Sequence, residues 1–336
     1  MDSKHKFKDF PRADAIFQSL IYEDKVPGLA ICVSKYENIC FNKGYGLGNI
    51  EQRIPIDPTK SIFRIASVSK PIAAMSLAYA VQEGLIDLDA SFYDYVPYFP
   101  EKKHDFTIKQ LAGHTAGIRG YKGKEYALNK PFGIKDSLAL FQNDPLLFVP
   151  GTSYLYNSYD WVMISLAIQE VTGISFEDFV KQNVLDPLEM KQTFPEYVDA
   201  INKNEVTFYT KKKSGFTKAT PVNNRFKLAG GGYLSTVTDL IKLGQETLNP
   251  SLVSKEILNV FVKSQTINKM PTYYGLGWQV SMDKNKRRYF GHQGNGVGGY
   301  SNFFVYPDEN MVIAVLINCT DPKVQSNLDK AILEFF

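Results

Sequence analysis

Three Ser-x-x-Lys motifs in this chain place a hydroxyl three residues before an amine that could activate it, beginning at Ser3, Ser67 and Ser281. The first lies in a charged N-terminal stretch, and the third falls in a polar run, SMDKNK, that is typical of a turn. Only Ser67 opens a long apolar run, SVSKPIAAMSLAYAV, in which Lys70 is the one charged residue. A helix that is apolar nearly all round is buried, so this motif predicts a lysine inside the protein.

Pro71 limits where that helix can begin, because a proline is tolerated only in the first turn, where its missing N–H would have no partner. Ser67 is therefore expected at or beside the helix start, and residues three apart share a face, so the Lys70 amine can reach the Ser67 hydroxyl. The alternative is an ordinary surface lysine, but burial and the positive end of the helix dipole both disfavour an ammonium here. The pattern favours Ser67 as a nucleophile and Lys70 as its base.

The elements that must position this pair follow from periodicity and turn residues. Helices are expected near 12–24, 67–83, 159–171, 238–246 and 324–336, and strands from 28, from 39, and at 274–280, 288–292, 300–306 and 311–318. A basic-tipped hairpin is expected near 206–222. We therefore predict an α/β (α+β) fold. Residues 1–66 and 231–336 would form a lobe with an antiparallel sheet flanked by helices, residues 67–230 a mostly helical lobe, and the cleft between them the site.

Composition and motif spacing exclude several classes of function. The net charge of +3 is too mild to predict nucleic-acid binding. The three cysteines and four histidines show no metal-ligand spacing, so we expect no metal site. The Gly-x-Gly-x-x-Gly run that begins at Gly294 precedes a strand-like segment instead of a helix, so no dinucleotide cofactor is expected.

Hydropathy bears on the membrane and on export. No apolar run approaches the ~18 residues of a membrane span, so no transmembrane segment is expected. The first residues, MDSKHKFKDFPRAD, have no apolar region of the kind found in a signal peptide. Export would require a signal that had preceded Met1, and the compartment stays open.

Five segments resemble the serine β-lactamase-like hydrolases, a family that includes class C β-lactamases, penicillin-binding proteins, D-Ala-D-Ala carboxypeptidases and related esterases. The segments are spread from residue 63 to residue 307, so the resemblance extends over most of the chain: FRIASVSKPIAAMSLAYAVQEGLIDLDASFYDYVP, TIKQLAGHTAGI, VPGTSYLYNSYDWVMISLAIQEVTG, LAGGGYLSTVTDLIKLG and GHQGNGVGGYSNFFVYP. The resemblance implies a β-lactamase/transpeptidase-like fold. It maps the proton-shuttling tyrosine of the family's Tyr-x-Asn motif onto Tyr156, and it makes His114 a structural residue.

Two positions depart from the family's usual motifs. Ser158 occupies the place of the asparagine that hydrogen-bonds the substrate amide, and His292 begins a His-x-Gly segment where β-lactamases commonly carry Lys-Thr-Gly. The His-x-Gly form is similar to that of some D-specific peptidases and esterases, and the histidine could share proton transfer with the tyrosine. The resemblance also implies a substrate-binding site with Ser158, Gly294 and Asn295, in which the backbone N–H groups of Ser67 and Asn295 form an oxyanion hole.

These features predict acyl transfer to water through an acyl-serine intermediate, with an amide or ester as a small-molecule or peptide substrate. A peptidase of small or D-amino-acid-containing peptides is favoured over a carboxylesterase, and a true β-lactamase ranks third. A mitochondrial member of the family assembles into filaments. The alternative to an enzymatic function is therefore a structural one, in which this chain forms a homo-oligomer and acts mainly as a scaffold. The complete set of Ser67, Lys70 and Tyr156 argues against a pure scaffold.

Overall fold

The computed structural model describes residues 10–197 and 202–336. The helices are α1 (Pro11–Tyr22), α2 (Ser69–Gln82), α3 (Phe92–Tyr95), α4 (Ile108–Ala112), α5 (Tyr159–Thr172), α6 (Phe176–Val180), α7 (Leu228–Gly231), α8 (Val237–Leu248), α9 (Lys255–Phe261) and α10 (Gln325–Leu333). The strands are β1 (Gly28–Lys35), β2 (Asn38–Asn49), β3 (Ile54–Pro55), β4 (Phe63–Arg64), β5 (Phe194–Pro195), β6 (Tyr209–Lys212), β7 (Gly215–Lys218), β8 (Tyr233–Ser235), β9 (Thr266–Ile267), β10 (Met270–Pro271), β11 (Gln279–Met282), β12 (Arg288–Gly296), β13 (Gly299–Tyr306), β14 (Met311–Ile317) and β15 (Cys319–Thr320).

The largest sheet has seven strands in the order β11-β12-β13-β14-β1-β2-β3, and its neighbouring strands pair antiparallel. Its strands come from residues 28–55 and 279–317, so both ends of the chain build one sheet. The predicted antiparallel sheet with flanking helices is confirmed. The exact division into lobes at residues 66 and 230 stays a prediction.

Helices cover both faces of this sheet, which is why β1, β13 and β14 are buried along almost their whole length instead of alternating. On one face, Leu29, Ile31 and Val33 pack with the apolar sides of α1 and α10. On the other face, Ala30 and Cys32 belong to a larger apolar cluster that includes α2, α5 and α8. The helix predicted to carry the lysine is therefore buried between the sheet and the other helices.

One predicted strand, 274–280, is largely wrong. Only its end, from Gln279, belongs to β11, and the preceding residues form an irregular segment. Gly277 has a φ of +83°, and a Cβ added there would lie 2.6 Å from the Trp161 ring and 2.7 Å from the Ala74 side chain. This close tertiary contact bends the backbone out of a strand, and periodicity along the chain carries no information about it.

Two further observations concern the described residues only. No helix within 10–197 and 202–336 has both the length and the apolar character to cross a membrane. Across the same ranges, no group of three or more His, Cys, Asp or Glu side chains is arranged to hold a metal ion.

We expect Gly277→Ala to lower the free energy of unfolding by about 2–4 kcal/mol, because it adds both backbone strain and a clash with Trp161. Gly173→Ala is the matched control, since Gly173 has a φ of +70° with nothing within 4 Å of an added Cβ. The control should lose only about 1–2 kcal/mol. Urea denaturation of the two variants measures the difference, and equal losses would contradict the packing argument.

Candidate active site

Ser67 lies in a 3₁₀ turn, Ala66–Val68, that leads directly into α2. Ala66 has a φ of +46°, in the left-handed region that non-glycine residues seldom adopt. The turn is held by the sheet, because Ser301 on β13 donates a hydrogen bond of 2.7 Å to the Ile65 carbonyl. On β12, a Cβ added to Gly294 would lie 2.3 Å from that carbonyl oxygen and 3.1 Å from the Ser67 nitrogen. Glycine is therefore required for the strand to approach Ser67.

Lys70 is completely buried and donates hydrogen bonds to three oxygens. Its Nζ lies 2.7 Å from the Gly230 carbonyl oxygen, 3.3 Å from Ser158 Oγ and 3.3 Å from Ser67 Oγ. Pro71 stands in the first turn of α2, as predicted. The neighbouring Ser69 is also buried, but its Oγ accepts a hydrogen bond from the Tyr233 N–H and does not bond to Lys70 in the described structure. The pair expected from the sequence is thus brought together.

Burial lowers the pKa of Lys70 from its ordinary value of 10.5 to about 7, because the ammonium loses its hydration. The positive charge of Lys227 lowers it further, and Asp160 has the opposite effect. A large fraction of Lys70 is consequently neutral near pH 7. A neutral amine at this distance can accept the proton of the Ser67 hydroxyl.

Tyr156 contacts both members of the Ser67–Lys70 pair. Its hydroxyl donates a hydrogen bond of 2.7 Å to Ser67 Oγ, and Lys70 Nζ lies 4.7 Å from its ring centroid. The ring edge is 38% exposed, but the hydroxyl points into the site, and its desolvation raises the pKa of Tyr156. Tyr156 therefore keeps its proton near neutral pH and can act as a proton donor.

His292 lies in the site, on β12, and its ring nitrogens are hydrogen-bonded to Gln293 and Tyr274, not to Tyr156. Its Nδ1 is 2.6 Å from the Gln293 carbonyl oxygen, which can only accept, so Nδ1 carries the hydrogen. Its Nε2, 3.0 Å from the Tyr274 hydroxyl, is then the acceptor. Burial and the charge of Lys70 lower the pKa of His292 to about 3, so the ring is neutral. Its predicted share in proton transfer stays a prediction.

The remaining expected residues lie around the same pair. Ser158 is nearly buried beside Lys70, and Gly294 packs on the turn that holds Ser67. Asn295 uses its side-chain oxygen to accept a hydrogen bond of 3.1 Å from the Asp321 N–H. That contact ties the Asn295 side chain to a neighbouring loop, and its expected part in an oxyanion hole stays a prediction.

A second, fully buried polar cluster lies beneath Tyr156, and sequence reasoning did not assign it. His114 Nδ1 is 2.7 Å from Asp160 Oδ2, which also accepts a hydrogen bond of 2.7 Å from Asn157. The His114 ring centroid is 4.8 Å from that of Tyr156 and 4.7 Å from that of Tyr274. Burial raises the pKa of Asp160 and lowers that of His114, so burial favours the uncharged form of both. The expected structural role of His114 fits this position.

Tyr274 was also missed, because it is one of 20 tyrosines and lies in the segment expected to be a strand. The signal that could have found it is the glycine on each side of Leu276, which argues against a regular strand. Asp160 offered another signal, since it stands four residues after Tyr156 at the start of an otherwise apolar helix.

Two solved structures share this fold. D-amino acid amidase from Ochrobactrum anthropi SV3, complexed with D-phenylalanine, has a TM-score of 0.86 at 18% identity, covering 98% of this chain and 99% of the amidase. An octameric penicillin-binding protein homologue from Pyrococcus abyssi has a TM-score of 0.83 at 23% identity, covering 97% of this chain and 77% of the homologue. These likenesses confirm the β-lactamase/transpeptidase-like fold.

Sequence comparison extends the relationship beyond the fold. The mitochondrial serine β-lactamase-like protein LACTB of Homo sapiens is 26% identical over 440 aligned positions, which cover 97% of this chain and 80% of LACTB. A sequence model of the β-lactamase family matches residues 13–335, a range that contains all five segments identified above. Because that match spans nearly the whole chain, the protein belongs to the β-lactamase family, whose fold and relatives support a serine hydrolase.

Proposed function

We propose that this protein hydrolyses amides or esters through an acyl-enzyme on Ser67, with Lys70 as the base and Tyr156 as the donor to the leaving group. One observation carries the proposal: Ser67 Oγ is 3.3 Å from a fully buried Lys70 Nζ and accepts a hydrogen bond from Tyr156. A buried lysine costs stability unless it is paired, so its place beside a hydroxyl is best explained by chemistry.

The proton path follows from the donors and acceptors. With Lys70 neutral, the Ser67 hydroxyl donates to Nζ while its oxygen accepts from Tyr156, so the oxygen becomes nucleophilic as the proton moves to the lysine. Attack on the substrate carbonyl gives a tetrahedral oxyanion, which the backbone N–H groups of Ser67 and Asn295 would stabilise. Tyr156 then protonates the leaving group and recovers a proton from the Lys70 ammonium. Water releases the acyl group by the same steps in reverse.

The substrate class is proposed from the charges in the site. A neutral His292 offers no positive charge at the edge of β12, and Ser158 offers a short hydroxyl that already contacts Lys70. Small amides that present no carboxylate to β12 suit such a site, and the structural likeness to a D-amino acid amidase supports amides of D-amino acids or short peptides that contain them. Esters react by the same steps and form the second candidate. The octameric homologue supports self-association of this chain, which light scattering can test.

We expect Ser67→Ala to abolish both hydrolysis of D-amino-acid amides and covalent labelling by a fluorophosphonate, a loss of about a thousandfold or more, while circular dichroism stays unchanged. Ser281→Ala is the matched control, because Ser281 heads another Ser-x-x-Lys motif but lies on β11. Intact-mass measurement detects the label. A Ser67→Ala protein that keeps a tenth of the original rate would remove Ser67 from the nucleophile's role.

We expect Lys70→Arg to be as inactive as Lys70→Ala, because a guanidinium keeps the charge but does not release a proton in the accessible pH range. In the unmodified protein the labelling rate should rise with pH through about 7, the pKa of Lys70, since only the neutral amine accepts a proton. Stopped-time labelling from pH 5 to 9 measures this profile. Substantial activity in Lys70→Arg, or a rate that falls as pH rises towards 8, would contradict the base assignment.

We expect β-lactams to acylate Ser67 slowly, because a neutral His292 does not attract the β-lactam carboxylate. A lost charge-assisted hydrogen bond costs about 1.5–3 kcal/mol, or roughly ten- to a hundredfold in acylation rate. The double change His292→Lys with Ser158→Asn should raise acylation, measured by intact mass with nitrocefin. Steady nitrocefin turnover by the unmodified protein, or no gain in the double variant, would place specificity elsewhere.

A further inference from the structure

The site lacks, on β12, the lysine that β-lactamases commonly carry in their Lys-Thr-Gly motif. His292 replaces that lysine, and both of its ring nitrogens are hydrogen-bonded as a neutral imidazole needs. His114 and Asp160 form a buried pair in which burial favours the uncharged form of each partner. If the site keeps a second positive charge, it must therefore come from another part of the fold.

Lys227 is a second buried lysine beside the site. It precedes α7, the helix whose Gly230 carbonyl accepts a hydrogen bond from Lys70, and it is only 9% exposed. In the described part of the chain its Nζ donates to the Tyr126 carbonyl, and the Tyr121 and Phe226 ring centroids lie 5.5 Å and 5.6 Å away. No carboxylate oxygen among the described residues lies within 4.0 Å of it.

Tyr121 and Ser158 lie near the two lysines. The Tyr121 ring centroid lies 5.5 Å from Lys227 Nζ, and the nearby Ser158 side chain opposes the rise that burial causes in the pKa of the Tyr121 hydroxyl. Ser158 Oγ in turn lies 3.3 Å from Lys70 Nζ. Tyr121 thus lies beside one buried amine and Ser158 beside the other, and charges that are removed from water are screened only weakly.

We propose that Lys227 is a positioning residue for the reaction and supplies the second positive charge of the active site, which favours the neutral, proton-accepting form of Lys70. The mechanistic consequence of this inference rests on the proposed function, in which Lys70 is the base. Lys227 carries this charge next to α7 and not on β12. It can therefore act on the base without occupying the strand edge that faces the substrate.

The titration order supports this assignment. Burial and the charge of Arg64 lower the pKa of Lys227 to about 8, above the value of about 7 for Lys70. Lys227 therefore keeps positive charge near neutral pH.

Other charged groups around the two lysines largely cancel. Asp160 raises the pKa of Lys70 where it is ionised, but burial favours its uncharged form, and Tyr156 and His292 are neutral near pH 7. Around Lys227, Arg64 is paired with Glu196 at 2.9 Å, and burial beside Glu196 raises the pKa of Glu205 to about 7. Lys227 is the remaining positive charge near Lys70 among the described residues.

The test measures the titration of Lys70 directly, by NMR of protein labelled with ¹³C at lysine Cε, where the Lys70 resonance is identified by its loss in Lys70→Arg. In Lys227→Met the pKa of Lys70 should rise by roughly one unit, because the repelling charge is gone. Lys227→Gln is a second neutral variant that retains a donor for the Tyr126 carbonyl. Lys227→Arg should leave the pKa near its original value.

The matched control is Lys124→Met, which removes the same formal charge at an exposed position two residues before Tyr126, whose carbonyl Lys227 contacts. It should leave the titration of Lys70 unchanged, because water screens it. A pKa of Lys70 that is the same in the folded Lys227→Met or Lys227→Gln protein as in the unmodified one overturns the proposal. An equal rise in Lys124→Met also overturns it.

Fluorophosphonate labelling is scored separately from the NMR titration. If the unmodified protein is not labelled at Ser67, the proposed function fails, but the titration still decides whether Lys227 controls Lys70. If labelling occurs, its pH profile in Lys227→Met should move to higher pH by the same amount as the NMR titration. A profile that does not move while the titration does would overturn the link between Lys227 and the reaction.

Discussion

The hydrogen bonds of the buried Lys70 amine are the constraint around which the site is built. A lysine without exposed surface needs acceptors from the protein, and it finds them in Gly230, Ser158 and Ser67, which come from three separate segments. Those segments can meet only if they pack closely. A Cβ added to Gly230 would lie 3.0 Å from both Cβ and the carbonyl oxygen of Ser158, so glycine is needed where α7 meets the start of α5.

The same burial sets the charge state of the whole site. Desolvation favours the uncharged forms of Lys70, Tyr156 and His292 together, so the proton network has few fixed charges near neutral pH. In such surroundings a single added charge has a large effect, since little water screens it. That is why the buried Lys227, which lies three residues before the Gly230 carbonyl that Lys70 contacts, is proposed to act on the chemistry although it does not contact Ser67 in the described structure.

Local residues could be predicted from the sequence, and long-range partners could not. Ser67, Lys70 and Pro71 lie within one turn of chain, so helix geometry alone relates them, and the sheet strands followed from their buried apolar runs. Tyr156 and His292 needed the family resemblance. Tyr274 and the partners of His114 were missed because each contact joins residues far apart in sequence. The strand expected at 274–280 was wrong because the backbone at Gly277 packs closely against Trp161, which is also distant in sequence.

The position of the cations bears on which substrates suit the site. A positive charge on β12 would meet a substrate carboxylate directly and would also act on the base, so recognition and catalysis would share one residue. In this chain the strand edge carries a neutral histidine, held by Tyr274, and the cation lies next to α7. Substrate recognition and control of the base are then carried by different residues. Lys227 favours the neutral form of Lys70, while the strand edge that faces the substrate offers backbone groups and uncharged side chains. Such a division favours amides and esters without a carboxylate at this position over carboxylate-bearing rings, which is the preference proposed for this hydrolase.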